Sequence, residues 1–509
     1  MKILRLLSCT VAAALLSASA VQATPYASGV TNASGNGTKG GTIHFILNEP
    51  ADNVYVLFGD GTSNAIASPG TTGVKSFALG SETSFAIYCV KAGSGAVTQI
   101  SSDANTLNHL SSERGVTVSQ NPQNWRFGRT YMSDGVGVGI FCRNADQSDV
   151  FGQGQTTGRK AGLPFVASSY SPYRMFVGPD GTLYIGNCSS LAGGSFLGET
   201  DGDVLTGGLA LVGTNWSYAA GENHTSLVGT PVVTGSIGAG NLVIYCFDVN
   251  YPYNGNSGNN LLQWNVGAGP FPSSVLPTSD GEQGLGGLGQ IISDNAVTSN
   301  YFYLLEERSS PTLHDTPSLM IFSNPNTSGT AVWDSINNTI LPGYDLLTNS
   351  IGLAVSPDGQ YLATMNANGV AYLLKLNNGL PDETTLQQLP GSLGSSASAY
   401  GSVAWDAADN LYSVNQFVGL LRVYTLGLTT TCVTSNDYTG VNGSFQFSPP
   451  SAAASVVATT PQAYQANNSY ANNGATPTPA VFTISLNAAS GSDLRQFHSH
   501  RHRDQRSKL

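Results

Sequence analysis

Charge is scarce in this chain: Asp, Glu, Lys and Arg make up 10% of its 509 residues, against about a quarter in ordinary globular domains. Long exposed helices and coiled coils, which need charged faces, are thereby excluded. Long apolar runs are missing too. None beyond the first twenty residues approaches the ~18 needed to span a membrane as a helix, so no membrane insertion is expected. Cysteines are few and far apart: Cys9, Cys89, Cys142, Cys188, Cys246 and Cys432. That spacing excludes a CxxC redox pair, a zinc site and a dense disulfide framework. These residues are expected as small buried hydrophobes in strands, with one cross-strand disulfide left open in an oxidising compartment.

What the chain has in quantity is Gly (60) and Pro (24), beside 40% hydrophobic residues. Turn formers at that density, with enough apolar surface for large cores, point to many short strands. The length suggests two to four domains at ~150 residues each.

Lys2 and Arg5 precede an apolar run from Leu6 to Leu16, then small residues from Ser17 to Ala20 and Val21-Gln22-Ala23 before Thr24. This is the three-part form of a secretory signal peptide over residues 1–23, cleaved after Ala23. A secreted, periplasmic or cell-surface location is expected. Setting aside Lys2, Arg5 and the basic terminus from Arg495 to Leu509 leaves 13 basic against 30 acidic residues, a net charge near −17. Nucleic acid and anionic lipid bind through Lys and Arg clusters. Neither is an expected partner.

Residues 24–110 read as a small β-sandwich. Thr42 to Leu47, Val54 to Phe58, Lys75 to Leu79 and Ser84 to Val90 are strand-like, and Asn, Pro, Asp and Gly fill the gaps between them, where strand interiors cannot accept them. The run from Gly41 to Phe58 resembles the immunoglobulin-like domain of flagellar hook-capping proteins, a likeness that implies a spacer or adhesive module.

Residues 111–450 carry a repeat. Val177-Gly-Pro-Asp-Gly-Thr-Leu, Val355-Ser-Pro-Asp-Gly-Gln-Tyr and Ala404-Trp-Asp-Ala-Ala-Asp-Asn-Leu share one pattern of strand, Asp-containing tight turn and strand. Asp-Gly and Asp-Asn permit the positive φ that a two-residue hairpin needs. Separations of 178 and 50 residues are read as four steps and one step of about 45, near the blade length of a β-propeller. These Pro-Asp-Gly signatures resemble exported bacterial NHL-like and YVTN-like propellers. The fold class expected is all-β: an N-terminal immunoglobulin-like β-sandwich followed by a six- or seven-bladed β-propeller. Residues 451–479, rich in Ala, Ser, Thr, Asn and Pro, read as a flexible linker. Residues 480–494 resemble the start of a Calx-β domain, and 495–509 form a basic His-rich tail.

No GxSxG, HExxH or P-loop pattern is present. Glu199, Asp201 and Asp203 alternate around a Gly and could offer oxygen ligands to a hard cation such as Ca2+. His224, flanked by Glu222 and Ser226, and the loop-borne Trp216 are the candidate ligand-binding residues. The other tryptophans, Trp125, Trp264, Trp333 and Trp405, read mainly as core. The sequence therefore points to a non-enzymatic binding or scaffold protein with an extracellular protein or glycan as partner. The alternative is a propeller enzyme, a lactonase or a glycan-active lyase or hydrolase, with a metal ion in its channel as in gluconolactonase-type lactonases.

Overall fold

The computed structural model describes residues 24–32 and, with breaks that include 188–195, 213–228, 249–259, 278–292 and 392–399, residues 41–448. The described residues form an all-β protein: many small antiparallel sheets and a single turn of 3-10 helix at Thr106–Asn108. Residues 451–509, expected to hold a linker, a Calx-β-like segment and a basic tail, lie outside the described residues, as do residues 1–23, expected to be a signal peptide.

Two sheets come mainly from the first hundred residues. One has three strands, Ala27–Asn32, Thr42–Leu47 and Gly73–Ala78. The other has five, in the order Ser444–Ser448, Thr430–Asp437, Ser84–Lys91, Asn53–Phe58 and Ser63–Ala65. Alternation of apolar and polar residues gives each sheet one apolar face. Ile43, Phe45 and Phe77 of the first join Val54, Val56 and Ile87 of the second in one buried cluster.

Strand Thr430–Asp437, which the sequence places with the repeat region, runs antiparallel to Ser84–Lys91 along eight paired positions, from Thr430↔Lys91 to Asp437↔Ser84. The boundary at residue 110 is crossed in the other direction too, because Thr98–Gln99 pairs with Tyr424 and Thr425. The physical reason is that an edge strand is satisfied by any strand presented in register, however distant in sequence.

Six further antiparallel sheets follow in sequence order. We label them I to VI by their first strands: Glu113–Val118, Pro172–Val177, Val232–Thr234, Ser293–Val297, Ser350–Val355 and Gly401–Trp405. Sheets II to V each consist of four consecutive strands, and sheet VI takes Thr98–Gln99 as its fourth. The first strands touch in a closed circuit: I meets II, II meets III, and so on round to VI, which meets I.

The Asp-containing turns behave as their chemistry requires. Gly181 and Gly359 adopt φ of 84° and 69°, and Asp409 adopts 58°. Asp180 Oδ1 accepts from the Thr182 N–H at 3.0 Å and Asp358 Oδ1 from that of Gln360 at 2.9 Å. The three repeat hairpins fall in sheets II, V and VI, so the separation of 178 residues spans three sheets rather than the four steps expected. The first strands of sheets II to V begin at residues 172, 232, 293 and 350, spacings of 60, 61 and 57 that exceed the 45-residue period. Of the cysteines, Cys89, Cys142, Cys246 and Cys432 are buried in strands; Cys188 lies outside the described residues.

Candidate functional site

A cavity of about 590 Å³ lies at one end of the ring. Its lining includes the last residue of every first strand: Val118, Val177, Thr234, Val297, Val355 and Trp405. Much of the wall is apolar, with Phe176, Ala296, Ala354 and Ala404 only partly covered by protein, and Thr117, Thr230, Thr234 and Asn295 are set among these residues. The rim is polar: Gln120, Ser299, Asn300, Asp358 and Asn378 are exposed. Asp358 is the one acid among the described lining residues, which include no Lys, Arg or His. Its Oδ1 is engaged by Ser356 Oγ at 2.5 Å and by the Gln360 N–H. Trp405 braces two walls, its Nε1 donating to Ala354 O at 3.2 Å while its own carbonyl accepts from Gln120 Nε2 at 2.7 Å.

A buried ion pair holds the floor. Arg174 on sheet II and Asp294 on sheet IV are both inaccessible to solvent and lie 3.1 Å apart. Arg174 also donates to the carbonyl of Ile351 on sheet V. Asp294 accepts from the N–H and hydroxyl of Thr230 at 2.9 and 2.8 Å, the Asn295 N–H at 2.9 Å and the Leu353 N–H at 3.0 Å. Thr230, Asn295 and Leu353 all line the cavity, so one carboxylate fixes three walls. An Arg inside the apolar strand Pro172–Val177 is the sequence signal for this pair. Its partner is 120 residues away and no local pattern points to it.

Glu113, at the start of the first strand of sheet I, is fully buried, and neither of its carboxyl oxygens has a hydrogen-bond partner among the described residues. Burial, with the carboxylate of its cross-strand partner Asp134 adding to it, pushes Glu113 from 4.5 up to about 8. The folded chain therefore keeps a proton that the unfolded chain releases. Its stabilising share is complete below about pH 4.5 and is lost as pH rises through the folded value. The Glu113→Gln variant is expected to melt several degrees above the parent near pH 8.5 and level with it near pH 4.5. Thermal unfolding of both proteins across that range checks this, and parallel profiles would contradict it.

The three acids around Gly202 do not share one free ligand site. Glu199 lies on the strand Phe196–Thr200 opposite Tyr184. Asp201 Oδ1 accepts from the Asp203 N–H at 3.0 Å. Asp203 is held by two guanidinium groups, Arg126 at 2.8 Å and Arg129 at 2.9 Å. Burial would raise Asp203, but the hydrogen bonds from these arginines outweigh it and hold the carboxyl below its usual range. A divalent cation at Asp203 would stand against two positive charges. Trp216 and His224 lie outside the described residues. The exposed tryptophan among the described residues is Trp125, at 39%, with Arg126 and Arg129 over its ring at 4.8 and 4.5 Å. Its neighbours Arg126 and Arg129 were the available signal.

No family model matches the sequence, and no curated protein does. Solved structures that match the backbone include a structural-genomics protein of unknown function from Bacteroides thetaiotaomicron VPI-5482, with a TM-score of 0.38 and 9% identity over 79% of this chain and 98% of that one.

Proposed function

We propose that this is an exported, non-enzymatic binding protein in which an immunoglobulin-like sandwich carries a six-bladed β-propeller. Six sheets whose first strands close into a ring, with the last sheet completed by a strand from the N-terminal side, support the propeller reading. Two sheets facing each other across one apolar cluster support the sandwich. The observation that carries function is the cavity of about 590 Å³ at the ring's end, a size suited to a small ligand or to the end of a larger one. An apolar wall below a rim of amides and hydroxyls fits an uncharged group that has one apolar face and several hydroxyl or amide groups. The end of a neutral glycan meets that description, as does an uncharged loop of an extracellular protein.

Glycan and peptide arrays probed with the whole protein test the reading. Neutral hits that also raise the melting temperature, as a ligand of the folded state must, are the expected outcome. A shift with Ca2+ that a chelator reverses, in the absence of any array hit, would favour the alternative of an enzyme with a channel metal.

A further inference from the structure

Thr24 is 3% exposed and Tyr26 fully buried. The Thr24 backbone nitrogen donates to Asn410 Oδ1 at 3.0 Å, and its carbonyl accepts from Asn410 Nδ2 at 3.1 Å and Asn48 Nδ2 at 3.2 Å. Asn410 Nδ2 also donates to Asp406 Oδ2 at 2.8 Å. Asp406 is inaccessible to solvent and sits one hydrogen bond beyond the Thr24 nitrogen. Asp409, three residues on, is 4% exposed, and its Oδ1 has no hydrogen-bond partner among the described residues.

The groups facing this site are overwhelmingly acids and neutral hydroxyls. Tyr26 approaches Asp406 from the first strand, Tyr412 Oη donates to Asp406 Oδ2 at 3.4 Å, and Cys432 and Glu49 lie near. The neighbouring cation is Lys91, which opposes the charge of Glu49 and donates to the carbonyl of Pro50. Burial raises Asp406 to about 6 and Asp409 to about 8. Asp406 also accepts from the Ala408 and Asn410 N–H groups, both at 2.9 Å, and a positive charge nearby favours the ionised form of a buried carboxylate.

We propose that the site around Asp406 and Asn410 binds the chain's own α-ammonium group, created at Thr24 when the leader is removed. This rests on the export reading. Two separate observations meet here: the cleavage bond is read from residues 1–23, and the buried nitrogen with its acids from residues 24–410. Hydrolysis of the Ala23–Thr24 bond, by a leader peptidase with water, leaves a carboxylate on the departing Ala23 and an amine on Thr24. The amine, ordinarily protonated below about pH 7.7–8.0, takes a proton and keeps the bond to Asn410 Oδ1. It adds a charge, separated from Asp406 by the Asn410 side chain, that an amide at that position cannot supply. Removal of the leader thus completes the contact between the sandwich and sheet VI.

The test uses residues 24–509 in three forms: with Thr24 free, with Thr24 acetylated, and with Ala23 retained. The free form is expected to melt roughly 5 °C above the other two near pH 7, and Asp406→Asn is expected to close that gap. Should Asp406→Asn fail to fold, the reactivity of the amine decides: native Thr24 is expected to be acylated at least about tenfold more slowly than in urea. Equal melting of the three forms, or acylation at the unfolded rate, overturns the proposal. The export reading is judged separately, by the mass of protein recovered outside the cytoplasm. A product that does not start at Thr24 removes the processing step, whereas equal melting with a Thr24 start removes only the site.

Discussion

Asp294→Ala is expected to lower stability by about 3–5 kcal/mol, the usual cost of breaking a buried ion pair from one side, with a fall in melting temperature of roughly 5–10 °C. Arg174 has no exposed surface, so its charge would be left without compensation where water cannot reach it. The N–H groups of Leu353 and Thr230 would lose their acceptor as well. Arg174→Met should cost less. With the cation gone, Asp294 still accepts from Thr230, Asn295 and Leu353, and a methionine can fill much of the arginine's volume. Urea unfolding of the two variants checks both the size and the order. If Asp294→Ala stays within about 1 kcal/mol of the parent, the carboxylate does not tie the walls together.

A chain ended after Leu428 is expected to lose its N-terminal sheets, whereas one ended after Ala452 keeps them. The shorter chain lacks Thr430–Asp437 and Ser444–Ser448. Strand Ser84–Lys91, central in its sheet, then becomes an edge with eight unpaired positions. The buried Cys432 and Val433 are lost, together with the bond from Thr434 Oγ1 to Ala27 O at 2.8 Å. Each fully buried apolar side chain is worth about 1.5–3 kcal/mol, and the newly exposed face of Ser84–Lys91 adds to the loss. The total should exceed roughly 5 kcal/mol. Alkylation reads this directly, because burial holds the Cys89 thiol well above its ordinary value. Cys89 should react in the shorter chain and be protected in the longer. Equal protection would mean that the C-terminal strands are dispensable.

Features set by neighbouring residues were readable: the Asp-Gly turns at 180–181 and 358–359 and the strands Thr42–Leu47 and Ser84–Lys91. Features set by pairing over distance were not. Nothing around Cys432 says that Cys89 lies opposite, 343 residues earlier. Arg174 reads as an anomaly in an apolar strand, but Asp294 cannot be chosen from the other acids by spacing. The cavity was illegible for the same reason. Its wall is made largely of valines, alanines and threonines that look like any strand interior until six strand ends are brought to one cavity. Asp203 pairs with Arg126 and Arg129, more than seventy residues upstream, and no local pattern around the three acids shows it.

The measurement that tests the cavity most directly is titration calorimetry of the best array hit against the parent and against Ala354→Trp. Ala354 is a partly exposed wall residue, and an indole there would fill much of the space while leaving the backbone pairing of sheet V intact. One ligand per chain for the parent, and at least about a tenfold loss of affinity in a variant that melts normally, is the result expected. Unchanged affinity in a folded Ala354→Trp protein would place binding elsewhere and contradict the assignment of the cavity.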